Sequence, residues 1–232
     1  MNLLVTSAGS NLGGIVASAL AHHHNVKRTD RAAKASGPGI VASDLGHEPD
    51  TDDLVRGMDA VVHIAYGGHP GDAAALIDFQ TRCVYNLLMA CVNTGVPRAF
   101  CLSTLKVMED YEPILTVTER WKPRPSTNDE ILASHLAEYV FREFAREQPI
   151  STASLRLGFP LITGSRNDAE ASGDTAALAT DDLGQALDAA LAASLPKWQV
   201  LHIQSPVSGQ RFLMSTAESL IAYPVAAKGG AR

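Results

Sequence analysis

The chain is poor in the residues that build disulfide or metal scaffolds. Its three cysteines, Cys83, Cys91 and Cys101, form no CxxC pair. An odd, scattered set of thiols supplies no disulfide framework, and all three read as small buried hydrophobes in a reducing compartment. Positive charge is scarce as well. The 19 Lys and Arg are outnumbered by 25 Asp and Glu, the net charge is −6, and no basic stripe is present. This argues against nucleic acid as a partner. Lys228 and Arg232 look like a solvated tail. No apolar run reaches the roughly 18 residues that a membrane helix needs, so no membrane partner is expected. The N-terminal apolar stretch contains Ala17-Ser18-Ala19 but has no basic flank and is broken by Gly9, Asn11, Gly13 and Gly14. It does not read as a signal peptide, and a cytoplasmic location is the default expectation. His22-His23-His24 is joined by no Cys or acid cluster, and adjacent side chains at a helix end diverge, so no metal site is expected.

What is present is an alternation of apolar runs and amphipathic segments over 232 residues, with 46% hydrophobic and 19% charged side chains. Leu3-Leu4-Val5 ends in a small-residue turn, Gly13 and Gly14 open an amphipathic segment, and a second short strand ends on Asp30. Ile40-Val41-Ala42 predicts a third strand and residues 51–56 a short helix. Residues 60–65 (AVVHIA), bounded by Asp59 and Gly67-Gly68, predict a strand buried on both faces. Residues 73–94 read as one long helix closed by Gly95, and 99–102 as a fifth strand. Ser126-Thr127-Asn128 caps a helix over roughly 129–147. Residues 154–157 and 200–203 read as strands, 165–180 as a mobile loop, and 181–193 and 216–222 as helices. The order predicts an α/β, Rossmann-type doubly wound parallel sheet in one domain over 1–232, with 159–232 contributing a small substrate-side region.

Strand, glycine turn, helix, strand, acid is the order of a dinucleotide-binding βαβ unit. Small residues let the turn approach a pyrophosphate, which then sits on the helix N-terminus. Asp30 lies 17 residues after Gly13. A carboxylate there accepts ribose hydroxyls and repels a 2′-phosphate, which favours NAD, although Arg28 and Arg31 flank it and leave NADP open.

These residues resemble the extended short-chain dehydrogenase/reductase family, the NAD-dependent epimerase/dehydratases, nearly end to end. Thr6-Ser7-Ala8-Gly9-Ser10-Asn11-Leu12-Gly13 occupies the place of TGxxGxxG, with Ser7 and Ser10 at two of the three motif glycines. Asp44-Leu45 matches the DL pair at the adenine, and His63-Ile64-Ala65-Tyr66 the HxAA-like segment by the nicotinamide-side ribose. Asn86-Leu87-Leu88 matches NLL, Leu155-Arg156-Leu157-Gly158 the LRxxN-type strand, Asp181-Asp182 a helix start, and the stretch from Ala217 to Pro224 the terminal LGYxP. The resemblance implies cofactor contacts from Ser7, Gly9, Ser10, Asn11, Leu12, Gly13, Asp30, Arg31, Asp44, Leu45, Ile64, Ala65, Tyr66, Ser103 and His135. It also implies a small-molecule substrate, sugar- or uronate-like, and a homodimer through the two long helices.

Family chemistry uses a tyrosine acid/base, a lysine four residues later that lowers its pKa, and a Ser or Thr on the substrate oxygen. Thr104 fits the hydroxyl. The helix motif YxxxKxxxE aligns with the stretch from Ile131 to Glu138, which puts Ile131 at the tyrosine and His135 at the lysine. None of Tyr66, Tyr85, Tyr111, Tyr139 or Tyr223 has a lysine four residues on. Thr104 and His135 are therefore the catalytic candidates, with His135 as ribose ligand or base. Tyr111, Asp110 and Glu130 are further groups that could reach the pocket. The expected activity is an NAD(P)-linked oxidoreductase or epimerase. The alternative is a nucleotide-binding sensor that has lost its chemistry.

Overall fold

The computed structural model describes residues 1–47, 49–67 and 72–224; Gly68, Lys228 and Arg232 lie outside them. The chain runs β1 (Asn2–Val5), α1 (Asn11–Leu20), β2 (Asn25–Asp30), β3 (Ile40–Ala42), α2 (Pro49–Val55) and β4 (Ala60–Ile64). It continues with α3 (Ala73–Asp78), a π turn (Phe79–Cys83), α4 (Val84–Thr94), β5 (Arg98–Thr104), a 3-10 turn (Leu105–Met108), α5 (Asp129–Glu147) and β6 (Ser151–Leu157). It ends with β7 (Leu161–Ile162), α6 (Arg166–Ala171), β8 (Leu178–Ala179), α7 (Thr180–Ala192), β9 (Trp198–Ile203) and α8 (Ser215–Ile221). Among the described residues the main sheet has the order β3-β2-β1-β4-β5-β6-β9, and every pairing is parallel. The order reverses between β1 and β4. In open parallel sheets the crevice beyond the strand C-termini at such a reversal is where ligands bind.

Alternation along each strand divides the core into two layers. Leu3, Val5, Val62, Ile64, Leu102, Leu155 and Leu157 pack with Val16, Leu20, Leu183 and Leu187 of α1 and α7. Leu4, Val61, Cys101 and Ala99 pack with Leu87, Leu88, Ala137 and Phe141 of α4 and α5. Both faces of the sheet are therefore covered, which is why the central strands read as continuous apolar runs. A smaller cluster of Leu105, Val107, Met108, Tyr111, Val117, Ala176 and Phe212 closes over the C-terminal edge of β5.

Three local expectations change. Helix α1 starts at Asn11, ahead of the glycines, because Ser10 is its N-cap and accepts from the Gly13 N–H at 3.0 Å. The predicted helix over 73–94 contains the π turn. Its extra residue brings the buried Gln80 inward, where Oε1 accepts from the His63 Nε2–H at 2.7 Å and Nε2 donates to the Ile64 carbonyl at 3.2 Å. The stretch 165–180, expected as a loop, carries a helix and a short strand. Ser165 and Asp168 form a reciprocal capping box that starts α6, and β8 then pairs with β7. Glycine and alanine content hid that cap. The cysteines are buried and free.

Candidate active site

The turn after β1 is held by contacts that leave no room for larger side chains. Ser7 sits at φ 51°, in the left-handed region that a glycine enters freely. Its carbonyl accepts from the Ser10 N–H at 3.0 Å and the Ser10 hydroxyl at 2.8 Å. A Cβ on Gly13 would lie 2.1 Å from that same oxygen. Gly13 is thus the motif glycine that packing requires. Ser10 turns its hydroxyl into a helix cap, which limits the loss from the missing glycine. The N–H groups of Asn11 and Leu12 stand in the first turn of α1, where a helix offers them no intrahelical partner.

Asp30 closes against this turn. Its Oδ2 accepts from the Gly9 N–H at 2.8 Å and its Oδ1 from the Arg31 N–H at 2.7 Å, and the side chain is buried. A Cβ on Gly9 would meet Asp30 Oδ2 and the Lys34 carbonyl, each at 2.8 Å. The 31–39 connection therefore lies across the glycine turn. Arg31 leans toward Asp44, 3.9 Å away, and its guanidinium stacks 5.5 Å from the Phe79 ring centroid. Leu45 takes a left-handed φ of 51°, and Asn86 fastens its carbonyl from α4 at 3.0 Å. The DL and NLL segments of the sequence are thus one contact. A groove of about 1130 Å³ runs from Gly9, Ser10 and Asn11 along α1 to Gln185 and Asp188 of α7, with Arg28 and Ser36 on its other wall.

Ile64, Ala65 and Tyr66 follow the sheet axis out of β4. His63 is satisfied inside the core: Thr6 donates to its Nδ1 at 2.8 Å, and its Nε2 donates to Gln80. Ser103 and Thr104 end β5 on opposite faces, as successive strand residues do. The Thr104 hydroxyl accepts from the Lys106 N–H at 3.2 Å. The Lys106 side chain then crosses the sheet edge, with its ammonium 5.5 Å from the Tyr66 ring centroid and 5.0 Å from that of Phe159. A hydrogen bond with Tyr66 raises the Lys106 pKa above its ordinary value; burial opposes this, and the charges of Glu109 and Glu130 add to the rise.

The structure does not bring His135 to this edge. His135 lines a separate cavity of about 280 Å³ with Trp121, Glu138, Arg142, Arg156 and Trp198. Its Nδ1 is buried without a hydrogen-bond partner, and burial lowers its pKa below the ordinary value. It is therefore neutral at pH 7 and cannot replace a lysine's charge. The side chain that α5 sends to the end of β4 is Ser134, whose Oγ donates to the Ala65 carbonyl at 2.7 Å. Counting back from Glu138 along YxxxKxxxE gives Ser134 at the lysine and Glu130 at the tyrosine, one residue earlier than the sequence alignment. Glu138 itself is the buried partner of Arg156. Ile131 packs against the cluster over β5. Tyr111 donates its hydroxyl to the Lys122 carbonyl at 2.7 Å, with its ring edge-on to Trp121, so it pins the loop. Sequence reasoning missed Lys106 and Ser134, because it sought the acid/base pair on one helix.

Two histidines of the run meet one carboxylate. His23 and His24 both bond Asp188 of α7, at 2.7 and 3.2 Å. Among the described residues there is no group of three or more metal-ligating side chains. No helix among them is long and apolar enough to cross a membrane.

Fold and turn together define a Rossmann-type α/β protein. The model of the NAD dependent epimerase/dehydratase family matches residues 5–189, and the chain belongs to that family. No curated protein sequence matches it. Among solved structures it is similar to a mutated uronate dehydrogenase (TM-score 0.76, 23% identity, 94% of this chain and 78% of that one). It is also similar to the uronate dehydrogenase of Agrobacterium tumefaciens (0.76, 21%, 93% and 80%) and to the UDP-glucuronic acid 4-epimerase of Bacillus cereus in complex with NAD (0.71, 18%, 96% and 91%). At these identities the likeness speaks for the fold.

Proposed function

We propose that the chain binds NAD over the C-terminal edge of its sheet and acts as an oxidoreductase on a hydroxyl of a small sugar- or uronate-like molecule. The observation that carries this reading is the clasp between Gly9 and Asp30. A carboxylate held at the end of β2, against a turn that admits no Cβ at Gly9 or Gly13, suits an adenosine ribose and disfavours a 2′-phosphate. Ser7 to Gly13 would carry the pyrophosphate, Asp30 and Arg31 the ribose, Asp44 and Leu45 the adenine, and Ile64 to Tyr66 with Ser103 the nicotinamide side. NAD, when bound, supplies the two-electron acceptor. The chain's own share is to hold the substrate hydroxyl with Thr104 and to move its proton. The named substrates of the similar structures, uronates and a nucleotide-linked uronate, support the substrate class. A homodimer through α4 and α5 suits the exposed Tyr85 and Tyr139 on those helices.

The test is calorimetry with NAD and NADP, followed by a panel of free uronic acids and neutral sugars read at the nicotinamide absorbance. NAD binding tighter than NADP, with reduction by a uronate, is the expected result. A second reading, binding without turnover, is favoured by the apolar Ile131 and the neutral His135. Binding in the absence of any reduction would select it.

A further inference from the structure

We propose that Tyr66 and Lys106, standing at the ends of adjacent strands β4 and β5, form the acid/base pair that α5 no longer supplies. The inference rests on the oxidoreductase reading above. β4, β5 and β6 are neighbours in the sheet, and Tyr66, Lys106 and Phe159 lie just beyond their C-terminal ends. The Lys106 ammonium lies between the Tyr66 and Phe159 rings, 5.5 and 5.0 Å from their centroids. Its own backbone N–H is tied to the Thr104 hydroxyl. The ends of β4 and β5 therefore gather a phenol, a cation and a hydroxyl, the three groups that the family's chemistry needs, from strand ends rather than from a helix. Tyr66 and Lys106 are both half-buried, so the pair is reachable from solvent yet partly screened from it. The charges of Glu109 and Glu130 add, behind that of Tyr66, to the rise in the Lys106 pKa.

In the direction that reduces a carbonyl, bound NADH would supply the hydride, whose addition to the carbonyl carbon would open the C=O π bond onto oxygen. The Tyr66 O–H breaks and its proton completes the alcohol. The phenolate left behind is held by the Lys106 ammonium until water reprotonates it. Alcohol oxidation is the reverse. Positioned proton transfer of this kind contributes about 10²–10⁴ in rate.

The experiment has three arms on the full chain: parent, Tyr66→Phe and Lys106→Met. In the first arm, without cofactor, acetylation of Lys106 by acetic anhydride is followed by mass spectrometry. Loss of the phenol should free the amine and speed its labelling severalfold in Tyr66→Phe; an unchanged rate overturns the pairing. In the second, calorimetry gives the NAD affinity of each variant, and turnover is then compared at saturating NAD, which sets any weakening at the nicotinamide side apart from the loss of proton transfer. In the third, the uronate panel should show turnover in the parent and a loss of 100-fold or more in each variant. Retained turnover in Tyr66→Phe, or a parent that binds NAD and reduces it with no substrate of the panel, overturns the inference and leaves cofactor binding standing. A parent that binds neither NAD nor NADP overturns the oxidoreductase reading itself.

Discussion

Glu138 and Arg156 meet across the α5–β6 interface as a two-point ion pair, with Nε to Oε1 at 2.9 Å and Nη2 to Oε2 at 2.7 Å, and side chains 5% and 3% exposed. Such a pair is stable only while both members are present, because either charge alone would be stranded in the interior. Arg156→Met should cost about 3–5 kcal/mol, measured by urea unfolding at pH 7. Burial pushes the Glu138 carboxyl up, but the Arg156 charge and hydrogen bonds outweigh it and hold it below the ordinary 4.5. A depressed folded value contributes stability above the unfolded pKa and loses it as pH falls through the folded one. The parent should therefore lose stability from about pH 4.5 downward. The double variant Glu138→Gln with Arg156→Met should lose less over that range.

His202 gives an acid limb that begins at a higher pH. Its ring is fully buried on β9, with Nδ1 donating to the Leu213 carbonyl at 3.1 Å. Burial, with Arg156 nearby, lowers its pKa from 6.5 to about 3. Between those values the unfolded chain binds the proton and the folded chain does not, so stability falls as pH falls. The slope is about 1.4 kcal/mol per pH unit. Unfolding free energies at pH 7, 6, 5 and 4 check this, and His202→Gln should flatten the limb above pH 5. A parent curve flat from pH 7 to 5 would contradict the assignment.

The face that α5 turns to the cofactor edge can be tested by rebuilding the motif where the sequence alignment puts it. Ile131→Tyr with His135→Lys should not create or raise turnover. A lysine at 135 would enter the 280 Å³ cavity lined by Arg142 and Arg156 as well as Glu138. Like charges there should lower stability by about 1–2 kcal/mol. The nicotinamide assay and a melting curve read both effects. A gain of 100-fold or more in turnover would show that position 131 reaches the substrate after all.

Most of the fold was legible because its causes are local. Periodicity, the Asn128 cap of α5, Gly95 ending α4 and the apolar run of β4 each mark one element, and the order of elements dictates the sheet. Of the candidate site, the meeting of Gly9 with Asp30 was legible because the order strand, turn, helix, strand brings the end of β2 beside the turn after β1. What stayed hidden depends on distant pairing. Nothing near Gln80 announces a π turn, because its reason is His63 on another element. Nothing near Lys106 announces a partner at Tyr66. A one-residue shift on a helix turns a side chain by about 100°, so an alignment one residue off moved attention from Ser134, which touches β4, to His135, which does not.

In the proposed function, Asp30 sets the cofactor choice. Both of its oxygens are occupied by backbone donors, Gly9 and Arg31, so the carboxylate is held in place and keeps acceptor capacity for a ribose hydroxyl. Replacing it with alanine removes the acceptor and also the charge that would repel a 2′-phosphate, while Arg28 and Arg31 remain nearby as cations. Asp30→Ala should weaken NAD binding by about tenfold or more, the range for a charge-assisted hydrogen bond. NADP binding should hold or improve, so the preference narrows or reverses. Calorimetry with both dinucleotides at one ionic strength measures it. The Gly9 N–H loses its partner in that variant, so thermal stability is measured alongside, and Asp30→Asn, which keeps an acceptor without the charge, separates the two effects. If Asp30→Asn keeps the full discrimination against NADP, then charge at position 30 does not set the choice and the turn geometry does.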